Sequence, residues 1–300
     1  MGNLACKLVG MPELPEVETV CRGLNKLIVG KTISSVFSDN PKSFPVSTAD
    51  LQINIIDAKI LLVHRRAKII IIDLDSAHSL VAHLKMTGQM VYVGSQQWGA
   101  GHPNDSLVGD LPDKSTRIIF EFTSGDKLFF NDQRKFGWVR LVKTDDVASL
   151  PNIAKLGPEP LEPSFTAEVF SSNIMRRRKS NIKSVLLDQS IISGIGNIYA
   201  DEVLFNSRIH PEAITGNLNN NQISILHSEI VKVLNLSLQK GGSTSRNYVN
   251  AEGKKGSYLD FANVYARAGL PCKVCQKPIS KIRVAGRGTH VCVKCQKRAR

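Results

Sequence analysis

No stretch of this 300-residue chain approaches the roughly 18 consecutive apolar residues that a bilayer-spanning helix requires, so such a helix is excluded and a soluble protein expected. The ten residues ahead of Met11 are too short for a secretory signal. Internal repeats and low-complexity tracts are missing, which sets aside solenoid architectures. Cysteine is scarce at six residues, and without a secretory segment that argues against a disulfide framework. Acidic side chains are missing from residues 271–300, which hold nine Lys/Arg. What is present is a 42% hydrophobic content, enough for a full core and for two or more domains.

The net charge of +13 is unevenly spread. Residues 1–150 carry 17 Lys/Arg against 16 Asp/Glu, and residues 151–300 carry 22 against 10, so the balance moves from +1 to +12. A basic half of this kind points to a phosphate backbone bound with salt-dependent affinity. It also carries Cys272-Lys-Val-Cys275, sixteen intervening residues, and Cys292-Val-Lys-Cys295. Two Cys-x-x-Cys knuckles at that separation match a zinc site of four thiolates. Four sulfur ligands leave no open coordination position, so the metal is expected to be structural. Cys6 and Cys21 remain, and Cys21 near the apolar face of the first helix is expected to be a buried free thiol.

At the other end, Met11-Pro12-Glu13-Leu14-Pro15-Glu16-Val17-Glu18-Thr19 holds a proline that removal of one methionine would leave as a free terminus. A proline amine on an aldehyde-like carbon gives an iminium ion whose nitrogen has no proton to lose, a permanent electron sink. α-Amines titrate near pH 7.7–8.0, roughly, so a useful fraction is nucleophilic. Glu13 and Glu16 lie within one turn as proton carriers. The same residues also suit an ordinary helix start. Pro15 fits the first helical position, the glutamates fit the positive end of the dipole, and Val17, Val20, Leu24, Leu27 and Ile28 form an apolar stripe up to Gly30.

Beyond that helix the pattern shortens to period two. Strands are expected over 60–63, 68–74, 79–84, 89–93, 117–122 and 127–130, which suggests a β-sandwich. Residues 94–114 are expected to form a long, mobile loop. Prolines 151, 158, 160 and 163 mark a linker, and a helical period dominates 165–239, notably in Ile223, Leu226, Ile230, Leu234 and Leu238. A Gly-rich stretch from Gly241 leads through a polar loop to the cysteine module.

Gly194-Ile-Gly196-Asn197-Ile-Tyr199 fails as a dinucleotide loop, because its sixth position is tyrosine and helical sequence precedes it. It reads better as a glycine-rich turn between helices that admits a phosphate, with Asn197 adding a neutral donor and Lys183 a charge. A tight turn without ligand is the alternative. Arg66 and Lys68 are expected on one strand face, lining a DNA groove or solvated, with Ile69 and Ile71 pointing into the core. His83-Leu-Lys-Met86-Thr-Gly88 and Asp132-Gln-Arg134-Lys-Phe136-Gly137 are strand–turn segments. Met86 and Phe136 fit a core, or, projecting from turns, could wedge between bases while Arg134 fills a hydrogen-bonding gap.

With these motifs in order, together with Leu156-Gly-Pro-Glu-Pro-Leu and Gly286-Arg-Gly-Thr-His, the chain resembles the bacterial formamidopyrimidine-DNA glycosylases over nearly all of residues 11–300. The resemblance implies an α+β protein: an N-terminal helix plus β-sandwich domain, a helix–two-turn–helix domain and a C-terminal β-hairpin zinc finger, with DNA held in the cleft between. The boundaries it suggests are an extension over 1–11 outside the active protein, a catalytic sandwich over 12–145, a linker over 146–164, the DNA-binding helical domain over 165–262 and the zinc finger over 263–300. It implies a cytoplasmic monomer acting on damaged duplex DNA, with one structural zinc and no organic cofactor. Carried over by position, Pro12 is the nucleophile on the sugar C1′, Glu13 the acid/base, and Glu16 a support of the terminal geometry. Lys68, Asn197 and Arg287 hold phosphates, and Met86, Arg134 and Phe136 fill the void left by an everted base. The loop over 242–257 closes on that base. The chemistry implied is removal of an oxidised purine, then β- and δ-elimination from a Schiff base.

Two departures stand out. Pro12 is internal here, and a peptide nitrogen is no nucleophile. A translation start at Met11 is the favoured explanation, ahead of cleavage or inactivity. Lys114-Ser115-Thr116-Arg117 has serine where relatives often carry histidine, which touches a minor DNA contact. Three rival readings follow: an endonuclease VIII-like enzyme for oxidised pyrimidines, a damage-binding protein without catalysis, and an unrelated zinc-ribbon factor. The last would not explain Pro12-Glu13 together with Asn197 and Arg287.

Overall fold

The computed structural model describes residues 11–102, 105–242 and 258–298. They divide into two compact units, one of 11–154 with 240–242 and the other of 155–239 with 258–298.

The first unit opens with helix α1 (Leu14–Ile28), followed by β1 (Ile33–Ser38), α2 (Thr48–Asn54), β2 (Ile60–Arg66), β3 (Ile69–Leu74), β4 (His78–His83), β5 (Gly88–Val93), β6 (Gln97–Gly101), β7 (Thr116–Phe122), β8 (Lys127–Asp132), β9 (Trp138–Lys143) and α3 (Pro151–Ala154). The strands make two antiparallel sheets, ordered β1-β7-β8-β5-β6 and β2-β3-β4-β9. One apolar cluster joins them. Ile118, Phe120, Phe130 and Met90 come from the first sheet, Ile70, Ile72, Leu80 and Val139 from the second, and Val17, Val20, Leu24 and Ile28 from α1. Alternation along each strand therefore yields the sandwich expected, with a helical stripe sealing it. Strand β2 is an edge, and α1 covers it: Asn25 pairs its amide with the Val63 backbone, and the Cys21 thiol donates to the His64 carbonyl at 3.3 Å. Cys21 is buried, and burial pushes its thiol well above the usual range, so it is an inert packing group.

Several expectations change. Residues 94–114 are not all loop: Gln97–Gly101 forms β6 against β5, and Leu107 is buried against Val91 and Phe129. The strand is hard to read because two of its five residues are glycines, yet Trp98 and Ala100 alternate into the core. Trp98 lies so close to α1 that a Cβ on Gly23 would fall 2.0 Å from its ring. Strands β1 and β9 escape the sequence pattern, β1 because half of Ile-Ser-Ser-Val-Phe-Ser is serine. Strand β3 begins at Ile69. Lys68 lies in a two-residue turn with Ala67, whose φ is +53°, rather than on a strand face. Both faces of β3 are buried, Ile70 and Ile72 in the sandwich core and Ile69 and Ile71 against Val147 and Ile153. Part of the expected linker thus packs on the first unit.

In the second unit, α4 (Ala167–Met175), α5 (Ile182–Leu187), α6 (Asn197–Asn206) and α7 (Asn220–Gln239) share a core that includes Ile182, Leu186, Tyr199, Ile223, Leu226, Ile230 and Leu234. After α8 (Tyr258–Phe261) comes the hairpin β10 (Ser280–Val284) and β11 (Arg287–Val291). Ala285 and Gly286, at φ +48° and +75°, close it with the left-handed pair that a tight hairpin turn needs. Among the described residues, no helix is long and apolar enough to cross a membrane.

Candidate active site and nucleic-acid interface

In the first unit, α1 starts with a reciprocal cap. Glu13 is its N-cap, and its N–H donates to Glu16 Oε2 at 2.9 Å while its own carboxylate accepts from the Glu16 backbone. Glu13 and Glu16 are 2% and 4% exposed, and Pro12 is buried beside them. Two buried carboxylates are thereby fixed at the head of α1, where Pro12 adjoins Glu13. Gly242 takes φ +91°, and a Cβ there would sit 3.1 Å from Glu16 Oε1. The rest of the 242–257 loop, and residues 1–10, lie outside the described residues.

Lys68 is buried at the β2–β3 turn. The His83 ring, which accepts the Lys85 N–H at 3.0 Å, is held down to about 3 by burial and then by the Lys85 and Lys68 charges. It is neutral at working pH and adds no second positive charge beside Lys68.

Met86 and Phe136 do project from turns. They are 40% and 58% exposed. Arg134 joins them, with Nη1 2.9 Å from Met86 Sδ and its guanidinium 5.0 Å over the Phe136 ring. Composition alone favours a core for Met86 and Phe136; the structure instead brings them with Arg134 into one exposed cluster. The sequence was silent on Thr87 and Asp132, buried directly beneath them.

In the second unit, Asn197 opens α6 behind Gly196 and donates from Nδ2 to the Gly288 carbonyl at 3.0 Å. One amide proton remains for a phosphate oxygen at the positive end of the helix. Arg287 is exposed on the adjoining hairpin. Lys183 is a correction. It is fully buried, donating to Asp201 Oδ1 at 2.6 Å, Thr289 Oγ1 at 2.7 Å and the Gly288 carbonyl at 3.2 Å. Its ammonium faces the hairpin that carries Arg287, with no side open to a phosphate. Asp201 Oδ2 in turn accepts the His290 N–H at 2.8 Å. A lysine near a glycine-rich turn reads as a phosphate ligand, and only the aspartate on the next helix reveals its partner.

The four cysteines converge, all ligand atoms lying within 4.8 Å of one another. Cys275 and Cys292 sulfurs are 3.4 Å apart, and Cys272 and Cys295 sulfurs 3.9 Å. A tetrahedron with Zn–S bonds near 2.3 Å has edges of about 3.8 Å, so the set fits one structural zinc ion. The site is stitched to the helices by Gln296, which donates to the Ile209 carbonyl and accepts the Cys292 N–H.

A sandwich with a capped Pro-Glu helix start, a helical unit with a glycine-rich turn and a basic hairpin beside a four-cysteine zinc site define a DNA-binding repair protein of the glycosylase type. Three family descriptions match in series: the formamidopyrimidine-DNA glycosylase N-terminal domain over residues 11–139, its H2TH domain over 156–249, and the zinc finger found in FPG and IleRS over 269–298. The chain belongs to the formamidopyrimidine-DNA glycosylase family. It is 40% identical over 290 residues to that enzyme of Desulforamulus reducens, covering 96% of this chain and 99% of the relative. With the Exiguobacterium sibiricum enzyme it shares 43% over 287 residues, 95% and 99% of the two chains. Among solved structures it resembles the wild-type Lactococcus lactis protein in complex with N7-benzyl-Fapy-dG DNA, with TM-score 0.84, 34% identity, and 96% and 100% coverage. A second complex of the Lactococcus lactis protein, with abasic-site DNA, gives 0.83, 34%, and 95% and 100%.

Proposed function

We propose that this chain removes oxidised purines, including 8-oxoguanine and formamidopyrimidines, from duplex DNA and then cleaves the abasic strand through a Schiff base on Pro12. The observation that carries the reading is the head of α1, where the buried Pro12 directly precedes the buried, mutually capped pair Glu13 and Glu16. A secondary amine freed at Pro12 attacks C1′, and the glycosidic electrons leave with the base, which takes up a proton. Glu13 protonates the ring oxygen as the iminium forms. Loss of a C2′ proton then expels the 3′ phosphate, and a second elimination expels the 5′ phosphate. Glu16, fixed to the Glu13 N–H, holds the carboxylate in register.

Base release requires the nucleotide to leave the stack, at a cost of a few kcal/mol. Met86, Arg134 and Phe136 fill the void, while Lys68, Asn197 and Arg287 hold phosphates. Zinc supplies no chemistry in this scheme. Its four thiolate ligands brace the hairpin that presents Arg287.

The test is borohydride trapping on a duplex with 8-oxoguanine opposite cytosine, using the 300-residue chain and a form beginning at Met11. A covalent adduct confined to the form whose mature terminus is Pro12 is the expected result. The competing reading is a damage-binding protein of the same fold without catalysis. Absence of an adduct from both forms with tight duplex binding retained would establish that second reading.

A further inference from the structure

We propose that Thr87 and Asp132 are positioning residues that splice the Met86 turn and the Arg134–Phe136 turn into one preformed wedge. The inference rests on the void-filling role given above to Met86, Arg134 and Phe136.

Strand β5 begins at Gly88 and β8 ends at Asp132, and these two residues face each other in register. The chain therefore turns away from these neighbouring strands at the same end of the sheet. Each turn holds one residue in the left-handed region, Lys85 at φ +52° and Lys135 at φ +59°, so each needs bonds to hold it. The Asp132 carboxylate provides them. Its Oδ2 accepts the Gly137 N–H at 2.6 Å, and its Oδ1 accepts the Arg134 N–H at 3.2 Å, so both sides of the tip are tied to one buried group. Thr87 makes the link across. Its hydroxyl donates to Asp132 Oδ1 and accepts the Arg134 N–H at 3.1 Å.

Glycines make room for this arrangement. A Cβ on Gly137 would lie 2.7 Å from the Phe130 ring and 3.1 Å from Asp132 Oδ2. A Cβ on Gly88 would lie 2.4 Å from the Leu84 carbonyl oxygen. Polar groups are thus buried below, and apolar tips are held out in solvent above, the reverse of what stability alone would select. The arrangement suits insertion into a base stack. A wedge whose two halves already stand at fixed spacing loses no ordering entropy on entry.

Thr87→Val keeps the shape of the side chain and removes the hydroxyl, while Thr87→Ser keeps the hydroxyl. Asp132→Asn replaces one acceptor oxygen with a donor, which must face either Gly137 N–H or the Thr87 and Arg134 donors. The measurement is stopped-flow fluorescence of 2-aminopurine placed beside 8-oxoguanine in a duplex, using the zinc-loaded full chain, with affinity for undamaged duplex measured in parallel. Eversion precedes bond breaking, so this readout does not depend on the state of Pro12. Thr87→Val and Asp132→Asn are expected to lower the everted fraction about tenfold. Thr87→Ser should stay within about twofold of the parent, and undamaged-duplex affinity should be unchanged in all three. Eversion by Thr87→Val equal to the parent, equal loss in Thr87→Val and Thr87→Ser, or a parallel fall in undamaged binding would each overturn the proposal. Met86→Ala separates it from the reading beneath it. If Met86→Ala leaves eversion intact, the wedge itself is wrong; if Met86→Ala impairs eversion and Thr87→Val does not, only the splice is wrong.

Discussion

Removing Lys183 tests whether that ammonium serves DNA or the protein. It and Asp201 are both fully buried and 2.6 Å apart. Deleting one partner of a buried pair strands the other charge, at about 3–5 kcal/mol. The two ends are unequal here. After Lys183→Met, Asp201 still accepts from the His290 N–H, with the His290 ring Nδ1 at 3.1 Å, so the loss should fall near 3 kcal/mol. After Asp201→Asn, the ammonium loses its carboxylate partner while keeping the Thr289 hydroxyl and the Gly288 carbonyl, and the loss should approach 5 kcal/mol. Both tryptophans, Trp98 and Trp138, lie in the first unit, so the assay needs another reporter. Urea titration followed by zinc release to a coloured chelator reads the unit that holds the cysteines. For a urea slope near 2 kcal/mol/M, Lys183→Met should move the midpoint down by about 1.5 M. The salt dependence of duplex binding should keep its slope. An unmoved midpoint together with a slope reduced by about 0.9 would mean that Lys183 neutralises a phosphate, and would refute the structural assignment.

Three further outcomes are expected. Because His83 is held down to about 3, an unfolded chain takes up a proton below pH 6.5 that the folded chain does not. Stability contributed by the neutral ring is thus complete above pH 6.5 and lost as pH falls toward 3, by about 1 kcal/mol per unit, short of the full 1.4 because the ring is only half-buried. His83→Gln should flatten that segment of a chemical-denaturation profile measured across this range. Stripping zinc with a chelator should lower duplex affinity at least tenfold, through loss of the Arg287 hairpin, and leave the thermal transition of the tryptophan-containing unit in place, as read by fluorescence. Gly242→Ala places a Cβ at φ +91° against Glu16; backbone strain of about 1 kcal/mol and a several-fold slower abasic-strand cleavage are expected in a gel assay of the Pro12-started form.

The legible parts of the molecule were those whose chemistry is local in sequence. Cys272, Cys275, Cys292 and Cys295 announce a metal by spacing alone, and the capped start of α1 is written in Glu13 and Glu16. Strands rich in branched residues, such as β3 and β7, are visible by composition. What stayed hidden depends on partners far along the chain. Lys183 meets an aspartate 18 residues on and a threonine 106 residues on, and Thr87 meets Asp132 across 45. Strand β6 was hidden for a different reason, since its glycines carry no β signal and its burial is set by Trp98 lying on Gly23 of a distant helix.

Strand β3 reads Ile69-Ile70-Ile71-Ile72 between Lys68 and Asp73, and it is covered on both faces. Four consecutive isoleucines are the composition of an amyloid-forming segment, and the flanking charges act as gatekeepers. The outer cover comes from Val147 and Ile153, which lie late in the unit's chain. Until residues 144–154 have been made and docked, Ile69 and Ile71 have only Val81, Trp138 and Val142 of this cluster beside them. A nascent or proteolysed sandwich ending near residue 143 is therefore an aggregation hazard, and the short segment that looks like a connector serves as its built-in chaperone.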